Sequence, residues 1–254
     1  MKKKLILTFD LDFWYSGEFF KKYLPQNKNS LEDFIEEPMI PLLDLLKKYN
    51  QKATFFVLGK ISEKYPQLIK KISQAGHEIA SHGYSHTILK ELGPNEFEKE
   101  ILKTNQIIEK ILNKKIIGFR APNFSLNQET NWAFKILEKN DFQYDSSFHP
   151  LTTKKITNNS LIKEFPSSLG GYYFRALPLF LYLRLIKKKS IDFPIIYLHP
   201  YELFASSPKL KSAPWLKKKI KYIGIKKSFN KFEKLLKKFK FISIEQYINE
   251  NITN

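Results

Sequence analysis

The feature that most constrains the fold is the regular alternation of short β-rich runs with longer helical patterns. In chain order the pairs are KLILTFD and PLLDLLKKYN, KATFFVLG and ISEKYPQLIKKISQAG, HEIAS and PNEFEKEILKTNQIIEKIL, and IIGFR and QETNWAFKILEKN, followed by strand patterns at FQYDSS, LIKEFP and FPIIYLHP. Such alternation indicates βαβ units with parallel strands, and about seven of them favour an α/β (β/α) barrel over an open sheet.

The domain organisation follows from length and composition. The chain has 254 residues, a size within reach of one α/β barrel domain. It contains neither a linker rich in Gly, Pro or Ser nor a repeat of fixed period. We therefore predict a single domain over residues 1–254, with a core at about 4–204 and a basic C-terminal appendage at about 205–254.

Positive charge is concentrated in the C-terminal part. Residues 151–254 hold 21 Lys and Arg against 6 Asp and Glu, whereas residues 1–150 hold 22 against 19. This asymmetry could mark a surface for nucleic acid or an anionic membrane. Because only three of the 43 basic residues are arginine and no nucleic-acid motif is visible, nucleic acid is not expected as a partner. A solvated lysine surface is the simpler interpretation.

Two segments bear on membrane contact. The stretch YYFRALPLFLYLRLIKKK is either a core helix whose final lysines suit the helix dipole, or an interfacial surface for anionic lipid. No apolar run reaches the roughly 18 residues of a transmembrane span. The start, MKKKLILTFDLDFW, has too short an apolar stretch for a secretion signal. We expect a cytoplasmic protein, with peripheral contact at the inner membrane surface as the alternative.

Each of the polar candidate residues lies at or just after the end of a predicted strand. They are Asp10 and Asp12 in TFDLD, His82 and His86 after HEIAS, Arg120 in IIGFR, Asp145 after FQY, and His199 after FPIIYL. In barrels of this type the active site is built at the carboxyl ends of the strands. We therefore expect these side chains to converge on one face.

The paired histidines indicate a metal site, although HxxxH also arises by chance and histidines fill structural roles. On a helical turn, His82 and His86 would share one face. The chain has no cysteine, so any metal takes nitrogen and oxygen ligands. Asp12, His82 and His86 provide three ligands and leave one position for water, as in catalytic zinc sites. Such an ion lowers the pKa of its water to about 7 and stabilises an oxyanion.

The remaining polar residues suit hydrolysis of an amide. Asp10 would take the proton of the water as general base, and His199 would protonate the departing amine. Asp145 could hold the imidazole of His199 oriented and protonated. Arg120, one of only three arginines, would keep Asp10 ionised through a forked hydrogen bond.

The sequence resembles the polysaccharide deacetylases, the NodB-homology or carbohydrate esterase family 4 group. The resemblance rests on TFDLD, on HGYSH at 82–86, on RAPNF at 120–124, on YDSS at 144–147 and on LHP at 198–200, and EFPSSLGGYYFRALP resembles the exopolysaccharide-locus branch. It implies a distorted (β/α) barrel, metal dependence and removal of an acetyl group from an N-acetylated sugar. It also implies that Asp10 is the general base, Arg120 its partner and His199 the proton donor. TFDLD departs from the usual TFDDG, which leaves the roles of Asp10 and Asp12 less secure.

The predicted substrate contacts lie beside these motifs. Trp14 follows the acidic pair, and aromatic faces suit sugar rings, although aromatics also close barrel mouths. Asn123 and Phe124 follow Arg120 and could contact substrate through a backbone amide or a ring face. Leu198, next to His199, completes the predicted set.

The sequence thus predicts a metal-dependent hydrolase that deacetylates an amino sugar of a cell-surface polysaccharide or glycan precursor, free, nucleotide-linked or lipid-linked. One divalent ion is expected, zinc first, with Co, Ni, Mn or Fe as alternatives. A related alternative is an amidase or deformylase acting on another small or lipid-linked amide. Alternatives of another class are a basic module that binds nucleic acid or membrane, and an inactive relative that binds sugar.

Overall fold

Strand β1, Lys4–Leu11, pairs with three other strands of a parallel sheet, and seven of its eight residues are buried. The computed structural model describes residues 2–26, 31–149, 160–167, 169–187 and 194–252. The other strands are β2 Thr54–Val57, β3 Glu78–Ser81, β4 Gly118–Phe119, β5 Tyr144–Asp145, β6 Lys163–Glu164, β7 Ile195–Leu198 and β8 Lys240–Ile242. Side chains on both faces of β1 are covered, as a buried parallel strand requires.

The sheet follows the order β6-β5-β4-β3-β2-β1-β7, with β8 paired to the first half of β1. All of these pairings are parallel. A single parallel bridge between Ser167 and Ile195 connects the chain after β6 to β7. The predicted distorted barrel of about seven parallel strands is confirmed, with β8 as an additional strand.

Helices surround the sheet and cover its outer face. They are α1 Glu36–Lys48, α2 Gly59–Lys64, α3 Pro66–Gln74, α4 Leu89–Leu112, α5 Trp132–Lys139, α6 Gly171–Ala176, α7 Leu179–Lys187, α8 Trp215–Tyr222, α9 Ile225–Lys238 and α10 Ile244–Ile252. Phe9 illustrates the packing, because its ring stacks on Phe55 and meets the edge of Phe232 on α9. Burying each such side chain contributes about 1.5–3 kcal/mol.

The C-terminal segment differs from the predicted appendage, because residues from 225 onward complete the sheet and its core. Leu5 in β1 pairs with Phe241 in β8. The buried amide of Gln51 donates to the carbonyls of Leu236 and Phe239 and accepts from the backbone N–H of Phe241. The high lysine content hid this role, since the apolar positions of α9 and β8 face inward between the lysines.

Helix α7 has both an inward and an outward apolar side. Tyr182 and Ile186 are buried, whereas Phe180 is 63% exposed and Leu181 and Leu185 are also exposed. The buried side supports the core-helix interpretation, and membrane contact through the exposed side stays a prediction. Within the described residues, the helices are too short or too polar to cross a bilayer.

Candidate active site

The loop after β3 brings the two paired histidines to the carboxyl end of β1. HGYSH is not helical: Gly83 and His86 adopt left-handed backbone angles, with φ of 74° and 67°. The Glu100 carboxylate on α4 accepts the backbone N–H groups of Tyr84 and Ser85 and so fixes the loop. The loop still places the rings of His82 and His86 with their centroids 5.3 Å apart. The predicted proximity is correct, but it arises from a tight loop instead of a helical turn.

Asp12 and these histidines form the candidate metal-binding group. The Oδ2 atom of Asp12 lies 3.3 Å from Nε2 of His86, and both side chains are at least nine-tenths buried. Nδ1 of His82 is 2.8 Å from the carbonyl oxygen of Arg120, to which its N–H donates, so Nε2 carries the lone pair. Burial lowers the pKa of His82 to about 4, with a further contribution from His86. His82 is therefore neutral at neutral pH, the form that ligates metal.

The donor set fits a divalent ion in two respects. Among the residues that the structure describes, Oδ1 of Asp12 is buried and has no hydrogen-bond partner, which is costly for a carboxylate unless a cation or proton compensates it. Two ligand atoms bonded at about 2.0–2.1 Å to a tetrahedral ion lie roughly 3.3 Å apart, close to the distance between Asp12 and His86. Over the described ranges, however, no group of three or more His, Asp or Glu side chains is placed so that it could hold a metal ion, and the metal site stays a prediction.

Arg120 is fully buried and holds Asp10. Its Nη1 donates to Oδ1 of Asp10 at 2.5 Å and to the Thr8 hydroxyl at 3.0 Å. Its remaining N–H groups donate to the carbonyl and hydroxyl of Ser146 and to the hydroxyl of Ser167. Burial alone would raise the pKa of Asp10. The charge of Arg120, together with its hydrogen bond and the charges of His82 and His199, outweighs burial, and the pKa lies below the ordinary 3.8. Asp10 is thus an oriented, ionised carboxylate.

His199 lies opposite, beyond the end of β7. Its Nε2 is 4.0 Å from Oδ2 of Asp12, and its Nδ1 is 3.0 Å from Oε2 of Glu202. Arg175 pairs with the other Glu202 oxygen at 2.9 Å. Burial would lower the pKa of His199, but the Asp12 and Glu202 carboxylates outweigh it and raise the pKa to about 9. His199 is therefore protonated at neutral pH and can donate a proton.

The predicted contact between Asp145 and His199 is not what the structure shows. The Asp145 carboxylate accepts the backbone N–H and the hydroxyl of Ser147, at 2.9 and 2.6 Å, and lies beside Glu164. β6 pairs with β5, which carries Asp145, and the Ser167–Ile195 bridge joins the segment after β6 to β7, which leads to His199, so β6 separates the two. Glu202 takes the predicted orienting role, and Asp145 supports the loop after β5.

Two predicted substrate contacts lie in the protein interior. Trp14 is 4% exposed, packs with Phe34 and Leu210, and donates its indole N–H to the Glu32 carbonyl at 2.7 Å. It fills the gap between two loops, so its ring face is not open to a sugar. The side chain of Leu198 is completely buried in the main core because it points inward from β7.

The other two predicted contacts lie near the site. Asn123 is exposed, in a left-handed conformation with φ of 53°. The half-buried ring of Phe124 lies 5.6 Å from the Arg120 guanidinium and 4.9 Å from the ring of Tyr197. These positions are compatible with substrate contact, which stays a prediction.

Sequence reasoning missed the residues that support the principal groups. Glu202 follows His199 by three positions and accepts its backbone N–H, a capping-box spacing visible in HPYEL. Arg175 could have been noticed because arginine is rare in this chain. Ser146 and Ser167 gave no such signal, since their contact with Arg120 depends on the closure of the barrel.

Comparison with known proteins gives two family matches. The polysaccharide deacetylase model matches residues 1–144, and a domain of unknown function, DUF3473, matches residues 132–249. A peptidoglycan-N-acetylglucosamine deacetylase of Bacillus cereus is 35% identical over 133 residues, which are 50% of this chain and 48% of that protein. A peptidoglycan deacetylase of Helicobacter pylori is 36% identical over 115 residues, 45% of this chain and 38% of that protein. The matches thus span about half or less of these relatives.

Solved structures show the same fold. The peptidoglycan deacetylase PdaC from Bacillus subtilis superposes with a TM-score of 0.58 at 19% identity, over 99% of this chain and 93% of that one. A carbohydrate esterase family 4 pseudoenzyme from Bacillus anthracis gives 0.57 at 20% identity, over 96% of this chain and 65% of that one. With the family model covering more than half of its residues, the chain belongs to the polysaccharide deacetylase family.

Proposed function

We propose that this chain is a metal-dependent deacetylase that hydrolyses the N-acetyl group of an amino sugar in a polysaccharide or glycan precursor. The observation that carries the proposal is the arrangement around Asp12. Asp10 is an ionised carboxylate that can accept a proton, and it is held by the buried Arg120. His199 is a protonated imidazole that can donate one, and it is held by the buried Glu202. A base and an acid with pKa values pushed apart are what amide hydrolysis requires.

The reaction divides between these two groups. Asp10 accepts a proton as the oxygen of water bonds to the acetyl carbon. The C–N bond then breaks, and His199 delivers its Nε2 proton to the departing nitrogen. The products are acetate and a free amino sugar. Arg120 keeps Asp10 ionised and aimed, whereas Glu202 keeps the Nδ1–H of His199 directed away from the substrate.

Asp12, His82 and His86 would hold the metal ion, with zinc as the first expectation. When bound, the ion lowers the pKa of water and stabilises negative charge on the acetyl oxygen. Its positive charge would also offset the influence of Asp12 on His199. His199 would then release its proton more readily than its pKa of about 9 indicates.

Metal dependence predicts a defined result for His86→Ala. The variant should lose its bound divalent ion and at least about 100-fold in activity, because a contact to Asp12 and one of three ligands disappear. Elemental analysis of purified protein and acetate release measure the two effects. His77→Ala is the matched control, since His77 is also buried but packs on Phe55 away from the site. Stoichiometric metal in His86→Ala would remove that residue from the ligand set.

Glu202→Gln should lower kcat by roughly tenfold or more, without loss of metal and with little change in KM. The amide keeps the shape of Glu202 but no longer stabilises the imidazolium of His199. Because Glu202 also pairs with Arg175, thermal unfolding is needed to show whether the variant is destabilised by the loss of that ion pair. The exposed ion pair of Lys90 provides a control variant, Glu129→Gln. Unchanged kcat in Glu202→Gln would show that His199 needs no orienting carboxylate.

The likeness to a pseudoenzyme makes an inactive sugar-binding protein the second candidate. Against it, all four principal groups are present: Arg120 pairs with Asp10, and Nε2 of His199 lies 4.0 Å from Oδ2 of Asp12. An assay of acetate release from N-acetylated oligosaccharides, nucleotide sugars, lipid-linked sugars and small amides decides between the candidates. Release from amides alone would favour the amidase alternative, and no release from any sugar would refute the sugar assignment.

A further inference from the structure

Helix α8 lies on the surface with its apolar side chains turned outward. None of its eight residues is buried. Trp215 is 69% exposed, Leu216 54% and Ile220 40%, whereas Lys217 and Lys218 are partly buried. A surface helix ordinarily packs its apolar side on the core and leaves its lysines in water. The orientation of α8 is the reverse, and contiguous apolar surface of this kind marks a site of interaction.

The outward side of α8 has the composition of a helix that lies at a bilayer surface. Successive helical residues are rotated by about 100°, so Trp215, Leu216 and Ile220 fall within an arc of about 140°. The exposed Lys219 lies in the same arc. Tryptophan and aliphatic side chains enter the boundary between headgroups and acyl chains, while lysines reach the headgroups. Water is a poor environment for this side of the helix, whereas a lipid interface suits both kinds of residue.

The surroundings of this apolar stripe are positively charged. Residues 203–232 contain nine lysines and neither aspartate nor glutamate. Five of these lysines are exposed, namely Lys209, Lys211, Lys219, Lys226 and Lys227. Each lysine close to an anionic bilayer adds to the affinity for it. Charge complementarity therefore favours an anionic surface as the occupant of this region.

Polar contacts on the inner side fix α8 to the active-site end of the barrel. Nζ of Lys221 donates to the carbonyl of Trp14 at 2.7 Å, just after TFDLD. Arg175 donates to the carbonyl of Ile223 at 3.2 Å and pairs with Glu202 at 2.9 Å. Because these contacts hold the inner side, the apolar stripe stays turned outward next to the candidate active site.

We propose that the outward side of α8 and the lysines around it form a docking surface for an anionic lipid bilayer. Two other occupants fit this surface less well. A second copy of this chain would bring two lysine-rich stretches together, and like charges repel. Nucleic acid would neutralise the lysines but leave the apolar stripe uncovered. The inference goes beyond the proposed deacetylase function and does not depend on it.

Co-sedimentation with vesicles gives the first test. Vesicles of phosphatidylglycerol and phosphatidylcholine in equal amounts should bind the wild-type protein at least about tenfold more tightly than pure phosphatidylcholine at low salt, and added salt should reduce the difference. Leu216→Gln combined with Ile220→Gln should lower the affinity at least about tenfold, because two inserted apolar side chains are lost while charge and helix propensity are kept. Ile40→Gln is the matched control, since Ile40 is 53% exposed on α1, whose first turn is acidic.

The outcomes distinguish the occupants. Absence of wild-type binding to the anionic vesicles, or equal binding by the wild type and the double variant, would overturn the docking surface. Light scattering measures the oligomeric state of the same two proteins. A wild-type dimer that becomes monomeric in the double variant would identify a second copy as the occupant and overturn the inference too. Acetate release tests the proposed function separately.

Tryptophan fluorescence gives the second test. Trp215 is exposed, whereas Trp14 is buried and Trp132 is partly buried. Anionic vesicles should therefore shift the emission of the wild-type protein to shorter wavelength, as the ring of Trp215 leaves water. Trp215→Phe should abolish the shift while the protein still binds. A shift of equal size in Trp215→Phe would place the contact elsewhere and overturn the assignment to α8.

Discussion

Replacing Asp10 with asparagine is expected to lower kcat by roughly 10²–10⁴-fold, the usual contribution of a general base, while metal remains bound. Asparagine has the same shape and its amide oxygen can still accept from Arg120, so the site should stay assembled. It cannot accept the proton of the attacking water. Acetate release, elemental analysis and thermal unfolding on the same preparation measure rate, metal content and folding.

Asp12→Asn is the matched comparison, because it changes the neighbouring carboxylate of TFDLD in the same way. It should lose metal as well as rate, since Asp12 contacts His86 and bears the unpartnered Oδ1. If Asp10→Asn lost the metal and Asp12→Asn retained it, the roles of the two aspartates would be exchanged.

The pH dependence of kcat/KM should reflect the same assignment. Because Arg120 holds the pKa of Asp10 below 3.8, base activity is present at neutral pH and is lost only as pH falls through that lowered value. On the alkaline side, the rate should fall as His199 loses its proton. A plateau that begins near pH 6–7 would contradict Asp10 as the acid-side group.

Placement at strand ends was predictable from the sequence because βαβ topology imposes it. Asp10, His82, Arg120 and His199 each follow a buried apolar run, and parallel strands bring such positions to one edge whatever the details of the loops. The backbone of HGYSH was not predictable, since the spacing of two histidines is compatible with either a helical turn or a loop. The left-handed backbone angles of Gly83 and His86 show that this segment is a loop.

Pairwise side-chain contacts were harder to predict. Glu202 can contact His199 because the single turn at 200–203 brings its carboxylate back to the end of β7. Asp145 lies on β5, which is not a neighbour of β7 in the sheet. The burial of Trp14 depends on a loop that arrives from residues 31–36. The inclusion of β8 in the sheet was hidden because a lysine-rich composition resembles a solvated tail.

Arg120→Met is expected to destabilise the folded protein by about 3–5 kcal/mol, the cost of removing one partner from a buried ion pair. Methionine fills much of the volume, but Asp10, Thr8 and the hydroxyls of Ser146 and Ser167 would lose the donor that satisfies them. Urea unfolding monitored by circular dichroism gives the difference directly. Arg120→Lys should recover only part of the loss, because a lysine cannot supply the forked set of N–H groups.

A double variant separates the contribution of the Arg120–Asp10 ion pair from the rest of the stability lost in Arg120→Met. Combining Arg120→Met with Asp10→Asn should cost less than the sum of the single changes, since the carboxylate is no longer left unpaired. Acid should reduce the difference between Arg120→Met and wild type. The folded-state pKa of Asp10 is depressed, so its stabilising contribution is full above the unfolded value and is lost as pH falls through the folded one. A cost below about 1 kcal/mol at neutral pH, unchanged in acid, would mean that Arg120 does not hold Asp10 as a buried pair.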